Sequence, residues 1–178
     1  MNEVQPIKNK RDIARIKKAL HGRNLLLFIV GINSSLRISD LLALKVSDIQ
    51  GDHLIVKEKK TGKRKHIRIN SAIKKAAREL VPKDTNTDDW LFPSRKGNKP
   101  ISRVQAWRIL NDAAKRAGLA FSFGTHSLRK TFAYHAYKNG TDITLLMRVL
   151  NHASPRETLR YIGIENEDID NVYIDVCL

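Results

Sequence analysis

Leu150-Asn151-His152-Ala153-Ser154-Pro155-Arg156-Glu157-Thr158-Leu159-Arg160-Tyr161 is the stretch on which the reading of the fold turns. Ser154 suits an N-cap, Pro155 the first helical position and Glu157 the third, so a short helix is predicted to start there and carry Tyr161 at its far end. Asn151 tolerates a left-handed helix end, which closes a preceding helix over Asp142 to Leu150. Upstream, Thr125-His126-Ser127-Leu128-Arg129-Lys130 reads as the start of a helix capped by Thr125 and stopped by Asn139-Gly140. Together the two segments hold a phenol, imidazoles and a guanidinium, the parts needed to break a phosphodiester without a metal. Forked Arg donors neutralise the non-bridging oxygens, His and Lys move protons, and Tyr can be the nucleophile.

Working outward, Ile13, Ile16 and Leu20 make Ile7 to Leu20 an amphipathic helix closed by Gly22. Leu25 to Ile32 is apolar on all sides and reads as the central buried helix. Ser39 is read as the cap of a helix over Asp40 to Lys45, with Leu41, Leu42 and Leu44 facing the core. His53 to Val56 and Lys65 to Ile69 have strand character around Thr61-Gly62, which predicts a hairpin. Asn70 caps a helix over Ser71–Leu80, with Pro82 after its end. Trp90-Leu91-Phe92 is a core anchor within a loop-rich stretch, and Ser102 with Gln105 forms a capping box for a helix to about Ala117. The fold class is mainly α with a small antiparallel β-hairpin. No internal repeat, low-complexity stretch or linker divides the chain, so one domain over 1–178 is expected, its last residues 162–178 forming an acidic amphipathic tail.

The chain has 178 residues, 42% of them hydrophobic, enough for a sizeable core. No apolar run approaches the roughly 20 residues that cross a bilayer, and the polar start MNEVQPIKNKRD lacks a signal segment. Cys177 is the single cysteine, which excludes a disulfide framework and a cysteine-based metal site. A cytoplasmic protein is expected. The net charge is +15, unevenly spread: residues 162–178 hold five acids and no Lys or Arg, which leaves +20 on residues 1–161. Such a cationic body favours a polyanion, nucleic acid ahead of an acidic membrane surface.

Each candidate also has a plainer reading. Arg37 could be a surface charge, but it lies between a buried helix and a leucine-rich one. A lone His126 or His152 would by default be a core histidine; their joint placement reverses that, while His21, His53, His66 and His135 stay structural. Tyr134 and Tyr137 share a helix with Phe132 and are expected to pack, and Tyr173 fits an apolar stripe with Ile169, Val172 and Val176; Tyr161 is preferred on its spacing. Thr125 as cap places His126 in a first helical turn, where unpaired N–H groups favour an anion, and Arg129 projects from the same face. Asp40, three residues after Arg37, is expected to orient its guanidinium.

These residues resemble the tyrosine recombinase (phage integrase) family. Leu36-Arg37-Ile38-Ser39-Asp40-Leu41-Leu42-Ala43-Leu44 looks like its first catalytic block, Lys60-Thr61-Gly62-Lys63 its lysine turn, and His126-Ser127-Leu128-Arg129 its His-x-x-Arg; His152 and Tyr161 follow in order. The resemblance covers nearly the whole chain. It implies that Arg37 and Arg129 clamp the scissile phosphate of double-stranded DNA and that Tyr161 attacks it, giving a 3′-phosphotyrosine and a free 5′-hydroxyl. Lys60, with Lys63 as runner-up, protonates the leaving oxygen; His126 assists proton transfer at the tyrosine, and His152 donates to the phosphate. No metal, ATP or other cofactor is implied. It implies a homo-oligomer on DNA, dimer to tetramer, with the acidic tail docked either on its own domain or on a neighbour. Catalytic-domain features begin almost at once, so no N-terminal core-binding domain is expected. Asp40 stands where the family commonly has Glu, and Asn151 where it commonly has Gly. The alternatives are a non-catalytic DNA-binding regulator and a type IB topoisomerase-like activity.

Overall fold

The computed structural model describes residues 4–164 and residue 174. Among these, the chain forms α1 (Lys10–Ala19), α2 (Gly22–Ser34), a one-turn α3 (Ile38–Leu41), a 3-10 turn at Ser47–Ile49, and strands β1 (His53–Lys57) and β2 (Arg64–Arg68). Helices α4 (Ser71–Leu80), α5 (Arg103–Arg116), α6 (Thr125–Lys138), α7 (Ile143–Leu150) and α8 (Pro155–Ile162) follow. The mainly helical class with one antiparallel hairpin is as the sequence predicts. The register pairs His53 with Arg68 and Lys57 with Arg64, and Gly62 takes φ +68° in the turn. No helix among the described residues is long and apolar enough to cross a membrane.

Most helix starts follow from local side-chain capping. Asn70 accepts from Ile73 N, Ser102 from Gln105 N, Asp142 from Thr144 N and Leu145 N, and Ser154 from Glu157 N, each offsetting a backbone donor with no partner inside the helix. Four starts differ from expectation, that of α3 among them. α1 begins at Lys10 because Asn9 caps it and Ile7 is held elsewhere: Ile7 N donates to Thr131 Oγ1 at 2.8 Å, and His135 Nε2 lies 2.9 Å from Ile7 O. Gly22 opens α2 at φ +50° rather than closing α1, which ends at Leu20. The cap of α6 is Gly124, not Thr125; the exchange runs backward, with Ser127 Oγ accepting from Gly124 N at 3.1 Å.

The expected helix over Asp40–Lys45 is instead Ile38–Leu41, with Arg37 rather than Ser39 as its cap. The chain turns away after Leu42 because Lys45 N is taken by Asp48 Oδ2 at 2.7 Å and Lys45 bridges to Trp90. Leu41, Leu42 and Leu44 are nonetheless buried, as are Leu91 and Phe92.

Two apolar clusters organise the packing. The larger surrounds α2, whose Leu26, Leu27, Phe28 and Val30 are buried against α4 and α6; each such side chain contributes about 1.5–3 kcal/mol relative to exposure. α2 and α6 cross closely enough that a Cβ on Gly31 would stand 2.6 Å from Leu128 Cδ1. The smaller cluster joins α6, α7 and α8 through Ala133, Leu146, Leu150 and Ile162, with Tyr134 and Tyr137 packed on it. α6 serves both, with Leu128 in one and Ala133 in the other. Arg129 lies between them in the chain.

Candidate active site

Arg129 is 3% exposed and held from several directions. Its Nη1 donates to Ser35 O at 2.8 Å and its Nη2 to Leu150 O at 2.6 Å. Both acceptors lie at helix ends: Ser35 is the left-handed cap of α2 (φ 56°), and Leu150 is the last residue of α7. Carbonyls there lack a partner inside the helix and carry the negative end of its dipole, so a guanidinium satisfies both demands.

Arg37, at the start of α3, places Nη1 2.8 Å from Glu58 Oε1. The two atoms meet by charge without the alignment of a hydrogen bond. Asp40 does not orient Arg37 as expected. It is 2% exposed, and its Oδ1 accepts from Lys59 N at 3.0 Å, so it holds the base of the hairpin turn instead. The partner of Arg37 is Glu58, 1% exposed, which also meets Lys65 Nζ at 2.9 Å and Arg129 Nη1 at 3.9 Å and accepts from Thr61 Oγ1 at 2.7 Å. Burial alone would raise the pKa of this carboxyl; the Thr61 hydroxyl and the Lys65 and Arg37 cations outweigh it and hold it at about 2.

Tyr161 reaches this cluster from α8, in the same subunit, close enough to Arg129 for each group to shift the other's ionisation. The His152 ring meets it edge-on, centroids 4.9 Å apart and planes at 80°, and Lys130 Nζ lies 5.1 Å from its centroid. Burial pushes the phenol pKa up, with Arg129 and Arg37 pulling against it, so the hydroxyl keeps its proton at neutral pH. His152 Nδ1 lies 3.1 Å from Thr158 Oγ1, which sets the ring's orientation from α8 itself. Desolvation lowers the pKa of His152, with Glu157 opposing, and the positive charge of Arg129 and Arg37 lowers it further. An open cleft of about 590 Å³, lined by Ser154, Arg156, Glu157, Arg160 and Tyr161, runs past the phenol.

A buried Arg fork, a second Arg and a tyrosine hydroxyl thus converge from α6, the α2–α3 corner and α8. The sequence matches the phage integrase family over residues 7–167. The chain belongs to the phage integrase family. It is 47% identical over 177 residues to a Bacillus subtilis strain 168 protein named probable integrase/recombinase YoeC, covering 97% of each. It is 32% identical over 149 residues to tyrosine recombinase XerD of Caulobacter vibrioides, covering 78% of this chain and 48% of that one. The crystal structure of XerA recombinase superposes with a TM-score of 0.77 at 25% identity, covering 98% of this chain and 65% of that one. The chain therefore spans nearly all of the first relative and about half of the second. It is a recombinase of the integrase type, a class whose reaction is strand cleavage and rejoining.

The remaining candidates of this integrase stand at the rim. His126 is exposed in the first turn of α6. Partial loss of hydration, followed by the positive charge of Arg129, Lys130, Arg37 and Lys60, lowers its pKa. Lys60 is exposed on the hairpin turn and makes no hydrogen bond or ion pair among the described residues. Lys63 is engaged, donating to Asn151 Oδ1 at 3.1 Å, and Lys65 donates to Val149 O at 2.7 Å. Lys60 and His126 are thus not in contact with the Arg129–Tyr161 pair, whereas Arg37, His152 and Glu58 surround it. Sequence reasoning missed Glu58, Lys65 and Lys130. For Glu58 a signal existed: it is the lone acid in Lys57-Glu58-Lys59-Lys60-Thr61-Gly62-Lys63-Arg64-Lys65.

Proposed function

We propose that this chain cuts and rejoins double-stranded DNA at specific sites through a 3′-phosphotyrosine on Tyr161, without metal or ATP. The observation that carries the reading is the approach of Tyr161 to the buried Arg129 fork within one subunit. A phosphate seated on Arg129 and Arg37 would lie against the phenolic oxygen. Tyr161 oxygen bonds to phosphorus as the P–O5′ bond breaks; the phenolic proton passes toward His126, and the departing O5′ takes a proton from Lys60. His152 supports the tyrosine ring and donates to a non-bridging oxygen. Attack by another strand's 5′-hydroxyl on the phosphotyrosine reverses these steps. The lowered pKa of His126 keeps that imidazole neutral, and so free to accept a proton, near neutral pH.

The cationic body supplies DNA affinity, and exchange between duplexes requires more than one protomer. The acidic segment 162–178 is proposed to dock either on its own body or on a neighbouring one, and in the second case it links protomers; from residue 165 to its end it lies outside the described residues apart from residue 174. The test is a nicked suicide substrate incubated with the chain in EDTA. The reading expects a covalent adduct, lost in Tyr161→Phe. An adduct that persists in that variant, or one that needs magnesium, overturns it, and a chain that binds without cleaving is a DNA-binding regulator instead.

A further inference from the structure

We infer that Glu58 is a positioning residue of the reaction, a buried counter-ion that sets the Arg37 guanidinium and the Lys60 turn at once. The inference rests on the function proposed above. The carboxylate is 1% exposed, and a buried charge is retained only where cations and donors compensate it. Here they come from two parts of the site. Oε1 faces Arg37 Nη1 at 2.8 Å and Lys65 Nζ at 2.9 Å, with Arg129 Nη1 at 3.9 Å. Oε2 accepts from Thr61 Oγ1 at 2.7 Å, the residue after Lys60. The main chain of Glu58 joins the same turn: Gly62 N donates to its carbonyl at 2.8 Å, and its own N–H donates to Lys63 O at 2.9 Å. Asp40 fixes Lys59 N from below. One side chain therefore connects the group that grips the phosphate to the loop that delivers the proton, and the Lys60 side chain, like that of Lys59, has no hydrogen bond or ion pair among the described residues.

The consequence is a division between binding and rate. Nη1 of Arg37 makes the ion-pair contact with Glu58, and a guanidinium has further N–H donors to offer a phosphate oxygen. Removing the negative charge frees the cations for DNA but lets Arg37 and the turn lose their setting. Glu58→Gln should bind DNA at least as tightly as the wild type and cleave it more slowly at saturation, by roughly 10- to 100-fold, the range expected for a displacement of about 1 Å at reacting groups. A purely structural role would weaken both.

The experiment measures adduct formation on two nicked substrates, one with oxygen and one with sulfur at the 5′-bridging position. The sulfur leaves as a thiolate and needs no proton, so a defect routed through Lys60 disappears on it. Thr61→Val, a change on the turn that leaves the core intact, should slow cleavage several-fold on oxygen and not on sulfur. Glu58→Gln should be slowed on both, less on sulfur, the residue of its defect belonging to Arg37. Wild-type cleavage by Glu58→Gln, a parallel loss of DNA affinity and rate, or an equal slowing of Thr61→Val on both substrates would overturn the inference. If Glu58→Gln melts below the assay temperature, Thr61→Val alone decides. Wild-type chain that forms no Tyr161 adduct overturns the proposed function itself, and this inference with it.

Discussion

Arg129 and Lys60 are cations assigned to the same phosphodiester, yet the protein holds them in opposite ways. Arg129 is buried, its fork closed on the carbonyls of Ser35 and Leu150. Lys60 stands exposed on a hairpin turn that Asp40 and Glu58 hold on either side of it, at Lys59 N and Thr61 Oγ1. A group that must stabilise charge throughout the reaction gains from being fixed beforehand, because no reorganisation is then needed as charge develops. A group that gives up a proton to a departing oxygen must reach where that oxygen goes, and a loop on a firm base suits it. The difference also assigns expected costs: replacing Arg129 should cost both fold and chemistry, replacing Lys60 chemistry alone.

The sharpest way to break this contrast is Arg129→Lys. The charge is kept, but one ammonium cannot span the two carbonyls and a phosphate. Adduct formation should fall about 10³-fold, in line with the roughly 2.7–4 kcal/mol lost with a transition-state donor. The melting temperature should fall with it, because the Ser35 and Leu150 carbonyls lose their buried partner. An unchanged melt would place Arg129 with Lys60. Lys60→Met should slow cleavage by about 10²-fold or more, as loss of an acid–base group does. Its effect on stability should stay within about 0.5 kcal/mol, as for an exposed side chain without partners. Rate measurement and thermal denaturation on the same preparations decide both.

The part of the site that was legible in the sequence is the part built locally. Asn70, Asp142 and Ser154 announce their helices because a capping side chain bonds within three residues of itself. The order Arg37, Lys60, His126, Arg129, His152, Tyr161 was readable through family resemblance, and the structure brings Arg37, Arg129, His152 and Tyr161 into one cluster. Glu58 was marked in the sequence only as the lone acid among the hairpin's cations; its burial depends on Arg37 and Arg129 arriving from α2–α3 and α6, and hairpin alternation says nothing of that. The same holds for Asp40, whose carboxylate turned to Lys59 N and left Arg37 to another partner. Thr125 was misread as a cap because Gly124 has no side chain to advertise the role, which Ser127 fills in reverse.

A smaller effect probes how far the two regions feel one another through space. Lys60 is among the cations that lower the pKa of His126, after desolvation, Arg129, Lys130 and Arg37. In Lys60→Met that repulsion is gone, so His126 should titrate at higher pH than in the wild type, both below the ordinary value of about 6.5. An NMR titration of the DNA-free protein measures this directly. The sign extends to stability: a histidine whose folded pKa is lowered binds its proton more readily when unfolded, so its contribution holds above about pH 6.5 and fades as pH falls through the folded value. An unmoved His126 would mean the turn stays too far from α6 to be felt.

Asn151 is where the fixed and the delivered regions touch, and replacing it should do least. Its backbone is left-handed (φ 55°) at the end of α7, directly after the carbonyl that holds Arg129, and its side chain accepts from Lys63 of the hairpin. Asn151→Gly removes the exposed tie, worth about 0.5–1.5 kcal/mol at most, and relieves a backbone conformation that glycine adopts freely. The two effects oppose one another, so stability should change by less than about 1 kcal/mol and cleavage should stay within about twofold of wild type. Asp40 and Glu58 anchor the hairpin without Asn151, and the Leu150 carbonyl acts through the main chain. A cleavage rate that dropped far more than the melting temperature would show that the Lys63 tie steers the turn, and that the delivery of Lys60 is governed from α7 as well as from the hairpin's own base.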